Sequence, residues 1–583
     1  MPFDPRPVNW VKSPEISEAI EIHRGYTGLA RLIGDIRREK AAPVRVRCDG
    51  MWGVAWEEVA ATLLRLLKEA GWRAQAYFTT AALRPEDELR THFAPWLTDN
   101  PVFGRVAERP ITDYFQPETY SELVAAFMRD GSHDVAFLFG PYAVSPMTRS
   151  TDLTLYIDLP REDVVAFHRQ GGLNLGFETP APAETKYKIA YYVEWPLLER
   201  HKKQVLPEVD YYISAHGGEF KWVSRKDLYE MVQDVSSRPF RCKPYFMPGV
   251  WGGQRIKQVA GLPSSWVNCA WDFEIVAPEN AVTLGASGET FTVPFHIFMW
   301  LNGPKIVGPL ATQYFGDYFP IRFNYLDTMD GTNLSLQVHP HSGYIHERFN
   351  EPIAQDETYY IVENKPGAKV YLGLKEHVTR DAFCHVAIRA QQEQVPFDIE
   401  EYVAAWDSKV GDLYLIPAGT VHCSGKDNLV LEISSTPYWY TFKIYDYLRP
   451  DLTGKPRPIN LEYAFDVIDF SRKTEWVRRH LIQTPRLVRK EPGGREVHLG
   501  STPFTFYGVN RLEIETEMRD ATAGSFHIVT AVRGEGVDIV SEEGLLCLSL
   551  AYLETAVIPE AFGAYRLVAK DGPAHVIKAF IKQ

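Results

Sequence analysis

Apolar positions in this chain follow two rhythms, and the change between them divides it. Over the first 235 residues, continuous apolar runs alternate with segments of helical period. Val44-Arg45-Val46-Arg47-Cys48 reads as a strand; after Asp49-Gly50-Met51-Trp52-Gly53, residues Val59, Leu63, Leu64 and Leu67 recur at about 3.6 positions and predict a helix. Another strand follows at Ala74-Gln75-Ala76-Tyr77-Phe78. Residues 134–140 and 152–158 are apolar runs of the kind found in a parallel sheet covered on both faces. Strand alternating with helix predicts an α/β domain.

Beyond residue 235 the rhythm becomes one of short strands and turns. Residues 358–362, 370–372 and 413–416 are β-rich runs, with turns marked by Gly367 and Gly411. Residues 291–298 read as an outer strand of a first β-barrel. Residues 505–509, 526–532 and 574–580, with the turn Gly534-Glu535-Gly536, predict a second one. The stretch 449–490, with prolines at 450, 456 and 458, is expected to cross between the barrels and pack along the site. The expected domains are therefore 1–235, 236–488 including the crossing segment, and 489–583.

The candidate chemistry lies in two stretches of the first barrel. Leu334-Ser335-Leu336-Gln337-Val338-His339-Pro340 continues to Asp356-Glu357-Thr358, and Ile416-Pro417-Ala418-Gly419-Thr420-Val421-His422 follows about sixty residues later. Strand side chains alternate between faces, so Gln337 and His339 point the same way while Leu336 and Val338 pack behind them. Gln337, His339, Glu357 and His422 supply an amide, two imidazoles and a carboxylate. That set suits Zn²⁺ or another divalent metal. His341, His346, His527 and His575 sit outside this pattern and are read as packing or surface residues, which leaves the second barrel metal-free.

These motifs resemble the cupins, small jelly-roll barrels with the metal ligands inside. Gln337-Val338-His339-Pro340, Asp356-Glu357-Thr358-x-Tyr360 and Ile416-Pro417-Ala418-Gly419-Thr420-Val421-His422 are similar more narrowly to class I mannose-6-phosphate isomerase. Val250-Trp251-Gly252-Gly253, Phe319-Pro320-Ile321 and residues 442–450 agree, so the resemblance runs from about residue 243 to the end. It implies an aldose–ketose isomerase that moves a proton between C1 and C2 of an open-chain hexose 6-phosphate, mannose 6-phosphate to fructose 6-phosphate, with a cation polarising the carbonyl. The family's catalytic arginine falls on Lys443, and a later arginine of the same stretch is Arg449. These two are the candidates for charge stabilisation near the substrate. Lysine keeps the charge and loses the planar fork. The family's lysine past the phenylalanine-proline motif falls on Asn324, with Arg322 on the same side of the strand as its replacement. An alternative left open is a regulatory sugar- or nucleotide-binding protein that kept the metal and lost turnover.

The front domain resembles a uridine kinase or phosphoribulokinase-type P-loop domain, in strand order and in Tyr192-Val193-Glu194-Trp195-Pro196 and Pro207-Glu208-Val209-Asp210-Tyr211. A working phosphate loop needs a lysine and a Ser or Thr hydroxyl. Gly50-Met51-Trp52-Gly53-Val54-Ala55-Trp56-Glu57 has neither. A degenerate, non-phosphorylating kinase fold acting as a scaffold is expected, with Asp113 a helix cap or a solvated residue. The fold class is thus multidomain: a kinase-like α/β domain with a parallel sheet, then an all-β pair of cupin jelly rolls.

Composition sets outer bounds. The 583 residues suffice for three to four domains at roughly 150 residues each. A charge of −13, 62 basic against 75 acidic residues, argues against nucleic-acid and anionic-membrane partners and leaves a local basic pocket for a small sugar phosphate. Six scattered cysteines form no C-x-x-C unit and are read as free thiols. No leader and no long apolar segment is seen, so the expected location is cytoplasmic. The sequence leaves a homo-oligomer open.

Overall fold

A computed structural model describes residues 1–435 and 440–582. It resolves into two compact units. One comprises Trp10–Asp234 with Ala281–Pro294; the other comprises Met1–Asn9, Val235–Asn280 and Phe295–Gln583.

In the first unit, among the described residues, seven strands form one sheet: β1 (His23–Arg24), β2 (Val44–Gly50), β3 (Ala74–Phe78), β4 (Val135–Phe139), β5 (Leu153–Asp158), β6 (Tyr211–Ser214) and β7 (Lys221–Ser224), in spatial order β1-β7-β6-β5-β2-β4-β3. The pairs from β6 through β3 are parallel. Strands β4 and β5 are buried throughout, as their continuous apolar runs require. Beyond β2 the chain builds β3 and β4 on one side and β5 and β6 on the other, which makes the carboxyl end of β2 the crevice where open α/β sheets take ligands.

Here that crevice is filled from within. Asp49 at the end of β2 accepts hydrogen bonds from Val144 N and contacts His201 Nε2, both at 2.8 Å. Asp158 at the end of β5 pairs with Lys202 Nζ at 2.7 Å and with the Tyr212 hydroxyl. A Cβ on Gly50 would lie 2.1 Å from Ile157 O, so the turn is pressed against β5. Trp56 is buried beneath it and Trp52 Nε1 donates to Leu173 O at 2.7 Å. Asp113, expected as a helix cap or a solvated residue, instead contacts Arg109 Nε at 2.6 Å and His92 Nε2 at 2.8 Å, with its side chain 12% exposed.

One expected strand is wrong. Residues 291–298 do not form an outer strand of the first barrel: Glu289–Pro294 pairs with Ala281–Ala286 in a hairpin of the first unit, and a kinked helix begins at Phe295. A short apolar run carries no period by which strand and buried helix can be told apart.

The second unit holds two β-structures. The first is built of β8 (Tyr245–Met247), β9 (Trp271–Ile275), β10 (Ile321–Asp327), β11 (Leu336–Val338), β12 (Glu357–Asn364), β13 (Lys369–Leu374), β14 (Val403–Asp407), β15 (Leu413–Ile416), β16 (His422–Ser424), β17 (Asn428–Ser435) and β18 (Phe442–Tyr445). Among the described residues they make two sheets, ordered β15-β12-β17-β10-β9-β8 and β14-β13-β16-β11-β18. Strands β19 to β28 follow: Arg486–Glu491, Gly494–Gly500, Tyr507–Ile514, Glu517–Ala521, His527–Arg533, Val537–Ser541, Leu546–Leu550, Thr555–Ile558, Ala564–Ala569 and Ala574–Ile581. They form sheets β19-β20-β21-β28-β23-β26 and β22-β27-β24-β25 around a core that includes Leu512, Val529, Ile539 and Leu567. His527 Nδ1 contacts the Tyr565 hydroxyl at 2.8 Å within this structure.

Candidate metal centre

The pleat and the strand register assemble the site. Gln337 on β11 stands opposite His422 on β16 and opposite Lys443 on β18, so these three side chains share one face of their sheet. His339 lies just past β11 on that same face. Glu357 opens β12 on the other sheet.

His339, Glu357 and His422 are all buried and converge on one point. Glu357 Oε2 lies 3.0 Å from His339 Nε2 and 2.9 Å from His422 Nε2. The other ring nitrogens face backbone carbonyls: His339 Nδ1 is 3.1 Å from Tyr440 O and His422 Nδ1 is 2.8 Å from Thr420 O. With Nδ1 committed to those carbonyls, Nε2 is the nitrogen that each ring turns inward, the arrangement that ligating imidazoles adopt. Burial alone would raise the Glu357 carboxyl, but the two imidazoles hold it well below the usual carboxylate range. A divalent cation fits this donor set.

Gln337 stands beside the cluster, its Nε2 3.3 Å from His422 Nε2 and its Oε1 3.3 Å from Ser335 Oγ. Rotation of the amide by half a turn directs the oxygen inward, since its O and N are interchangeable in shape. Gln355 was not anticipated: its Nε2 lies 3.3 Å from His339 Nε2 and donates to Glu357 Oε1 at 3.1 Å. The signal was present, because Gln355 and Glu357 repeat the two-residue spacing of Gln337 and His339. Gln355 Oε1, Asn324 Oδ1 and the Tyr359 hydroxyl are buried with no hydrogen-bond partner among the described residues. Three unmatched polar atoms on one interior suit a chamber that takes a polar guest.

A second carboxylate supports the first. Glu432 on β17 accepts from Asn324 Nδ2 at 3.0 Å and pairs with Arg322. Arg322 also donates from Nε to Ser434 Oγ at 3.0 Å and brings Nη2 to 3.7 Å from Glu357 Oε1. Arg322 and Asn324 therefore do share a face, and its occupant is Glu432. Burial raises the Glu432 carboxyl to about 7 against the opposing pull of Arg322. A lone acid inside the apolar run 429–433 was the available clue.

The two predicted charge-stabilising residues differ. The Lys443 amine has no hydrogen-bond or ion-pair partner among the described residues, and burial, then Arg457 and Arg449, lower its pKa to about 8. Arg449 is engaged elsewhere: its guanidinium donates to Asp446 Oδ1 at 2.5 Å, Thr332 Oγ1 at 2.6 Å and Asn333 O at 2.7 Å. Two residues of the stretch 449–490 bond the turn that precedes His422. Arg472 Nη1 donates to Pro417 O at 2.7 Å and Ala418 O at 2.6 Å, and Asp469 N donates to Gly419 O at 2.9 Å, so the turn before His422 is held from outside. Gly419 has φ +88° there, and a Cβ would come within 3.0 Å of Val467 O.

Curated proteins are similar in sequence to part of this chain. The mannose-6-phosphate isomerase ManA of Bacillus subtilis is 27% identical over 236 residues, 40% of this chain and 69% of that protein. The mannose-6-phosphate isomerase of Streptococcus mutans is 25% identical over 349 residues, 56% and 93% of the two chains. This chain is similar to mannose-6-phosphate isomerases. A crystal structure of the Bacillus subtilis mannose 6-phosphate isomerase superposes with a TM-score of 0.48 at 21% identity, covering 59% of this chain and 99% of that one. A family described as a domain of unknown function (DUF8485) matches residues 25–237. Among the described residues no helix is long and apolar enough to cross a membrane.

Proposed function

We propose that this protein is a metal-dependent isomerase that interconverts mannose 6-phosphate and fructose 6-phosphate. The observation that carries this reading is the convergence of His339, Glu357 and His422 in a chain similar to mannose-6-phosphate isomerases. Those three residues and Gln337 would hold the ion, and the mixed imidazole, carboxylate and amide set favours Zn²⁺. When bound, such an ion polarises a sugar carbonyl and lowers the cost of the carbanion beside it.

The remaining work falls to the chain's own groups. Lys443 faces the side of the sheet that carries the ligands and offers its ammonium, which has no partner among the described residues, to the charge that develops on the sugar oxygens, or to the phosphate. Arg449 adds positive potential and holds Asp446, which limits how far the charges of Lys443 and Arg457 oppose each other. Arg322 and Glu432 hold Glu357 in place. The first unit acts as a scaffold: its degenerate, kinase-like crevice offers no phosphate-loop lysine and is closed by the Asp49–His201 and Asp158–Lys202 pairs.

An assay of the purified, metal-supplied protein for conversion of mannose 6-phosphate to fructose 6-phosphate, beside His422→Ala, tests this directly. Turnover by the parent and none by the variant is expected. Tight metal binding without turnover on any hexose phosphate would leave a binding protein in its place.

A further inference from the structure

The strand that carries Glu357 has a second face. Along β12, Glu357 and Tyr359 point into the first barrel, where the Tyr359 ring lies edge-on to His422 with centroids 5.8 Å apart. Tyr360 and Val362 point the other way and line a cleft of about 530 Å³ whose opposite wall includes Arg511, Arg533 and His575. That volume is within the range of small-molecule sites.

The charges lining the cleft are unequally engaged. Arg511 donates from Nη2 to Glu513 Oε1 at 2.7 Å and from Nη1 to Gly411 O at 3.2 Å. Glu363 accepts from Arg255 Nη2 at 2.8 Å and from the Tyr552 hydroxyl at 2.5 Å. Arg533 and His575 are different. They stand directly opposite each other on β23 and β28, so their side chains share a face. Among the described residues neither side chain has a hydrogen-bond or ion-pair partner. Burial, with Arg511 and Arg533 adding to it, lowers His575 to about 4, so the ring is neutral at physiological pH and presents one N–H beside a guanidinium. Glu535, exposed at the rim, forms no ion pair with Arg533. Around these donors lie Val362, Val410, Val532 and the Tyr552 ring.

We propose that this cleft is a binding site for a small organic anion, a carboxylate or phosphate monoester on a partly apolar body. Arg533 and His575 take the anionic group, the guanidinium by its planar fork. The valines and Tyr552 cover the body. The site is separate from the metal centre, and its assignment does not depend on the isomerase reading.

Calorimetric titration of the full-length protein with benzoate, phenyl phosphate and inorganic phosphate tests it. One equivalent of benzoate or phenyl phosphate is expected to bind, and the tighter of the two identifies the anionic group. Arg533→Glu, at an exposed position, should weaken binding about tenfold or more, His575→Phe should also weaken it, and Lys443→Met should not. Isomerase turnover of Arg533→Glu should match the parent. Absence of binding up to about 10 mM, binding indifferent to Arg533→Glu, loss on Lys443→Met instead, or inorganic phosphate binding as well as phenyl phosphate would each overturn the proposal.

Discussion

Lys443 and Gln337 face each other across the β18–β11 pair, and His422 flanks Gln337 on the next strand. The lysine is thereby one strand away from the imidazole cluster, on the same side of the sheet. This placement makes its charge available to whatever occupies the chamber.

Lys443 is expected to act as an ammonium. Replacement by methionine should lower kcat/KM for mannose 6-phosphate by about 10²–10³-fold, the usual effect of losing one charge-stabilising group. The amine is depressed to about 8 by burial and by Arg457 and Arg449, so the parent should lose activity as pH rises through about 8. Lys443→Arg should move that alkaline limb upward, since guanidinium stays charged. A pH–rate profile of kcat/KM for the three proteins decides the point, and an alkaline limb unchanged in Lys443→Arg would count against the lysine.

Gln355 should tune the metal without being required for it. Gln355→Ala is expected to weaken metal affinity by about 10–100-fold, as loss of an outer partner does, whereas His422→Ala should exceed that range. Competition with a chromogenic chelator, read alongside elemental analysis, separates the two. Equal losses would make Gln355 a ligand.

The buried Lys202–Asp158 pair, 2.7 Å apart with both side chains 1% exposed, is expected to stabilise the first unit. Lys202→Met leaves an uncompensated carboxylate in the interior and should cost about 3–5 kcal/mol. Urea denaturation followed by fluorescence measures it. ATP should give no binding heat in the same preparation, and micromolar affinity would contradict a closed crevice.

Asp272 on β9 is buried, and neither carboxylate oxygen has a partner among the described residues. Burial, and then Glu274, raises its pKa well above the ordinary value. Its folded form binds the proton more tightly than the unfolded form, so its contribution to stability is greatest at acid pH and declines as pH rises above about 3.9. Asp272→Asn should therefore flatten this part of the pH–stability curve and raise the melting temperature at pH 7 relative to the parent. A lower melting temperature at pH 7 would show that the carboxylate has a partner in solution.

The sequence by itself determined what depends on neighbours along the chain. The apolar runs of β4 and β5 announced a covered parallel sheet, and the two-residue spacing put Gln337 and His339 on one face, because side-chain alternation is a local property of any strand. Tertiary structure decided the rest. Residues 281–294 joined the first unit, and the run continuing past Pro294 became helix, because a short apolar segment takes whichever form its surroundings bury. Which strands are neighbours, and in what register, is set by long-range pairing. Only that pairing brought Glu357 on one sheet to the imidazoles of the other, placed Glu432 between Arg322 and Asn324, set Lys443 beside Gln337, and left Arg533 and His575 side by side with no partner among the described residues.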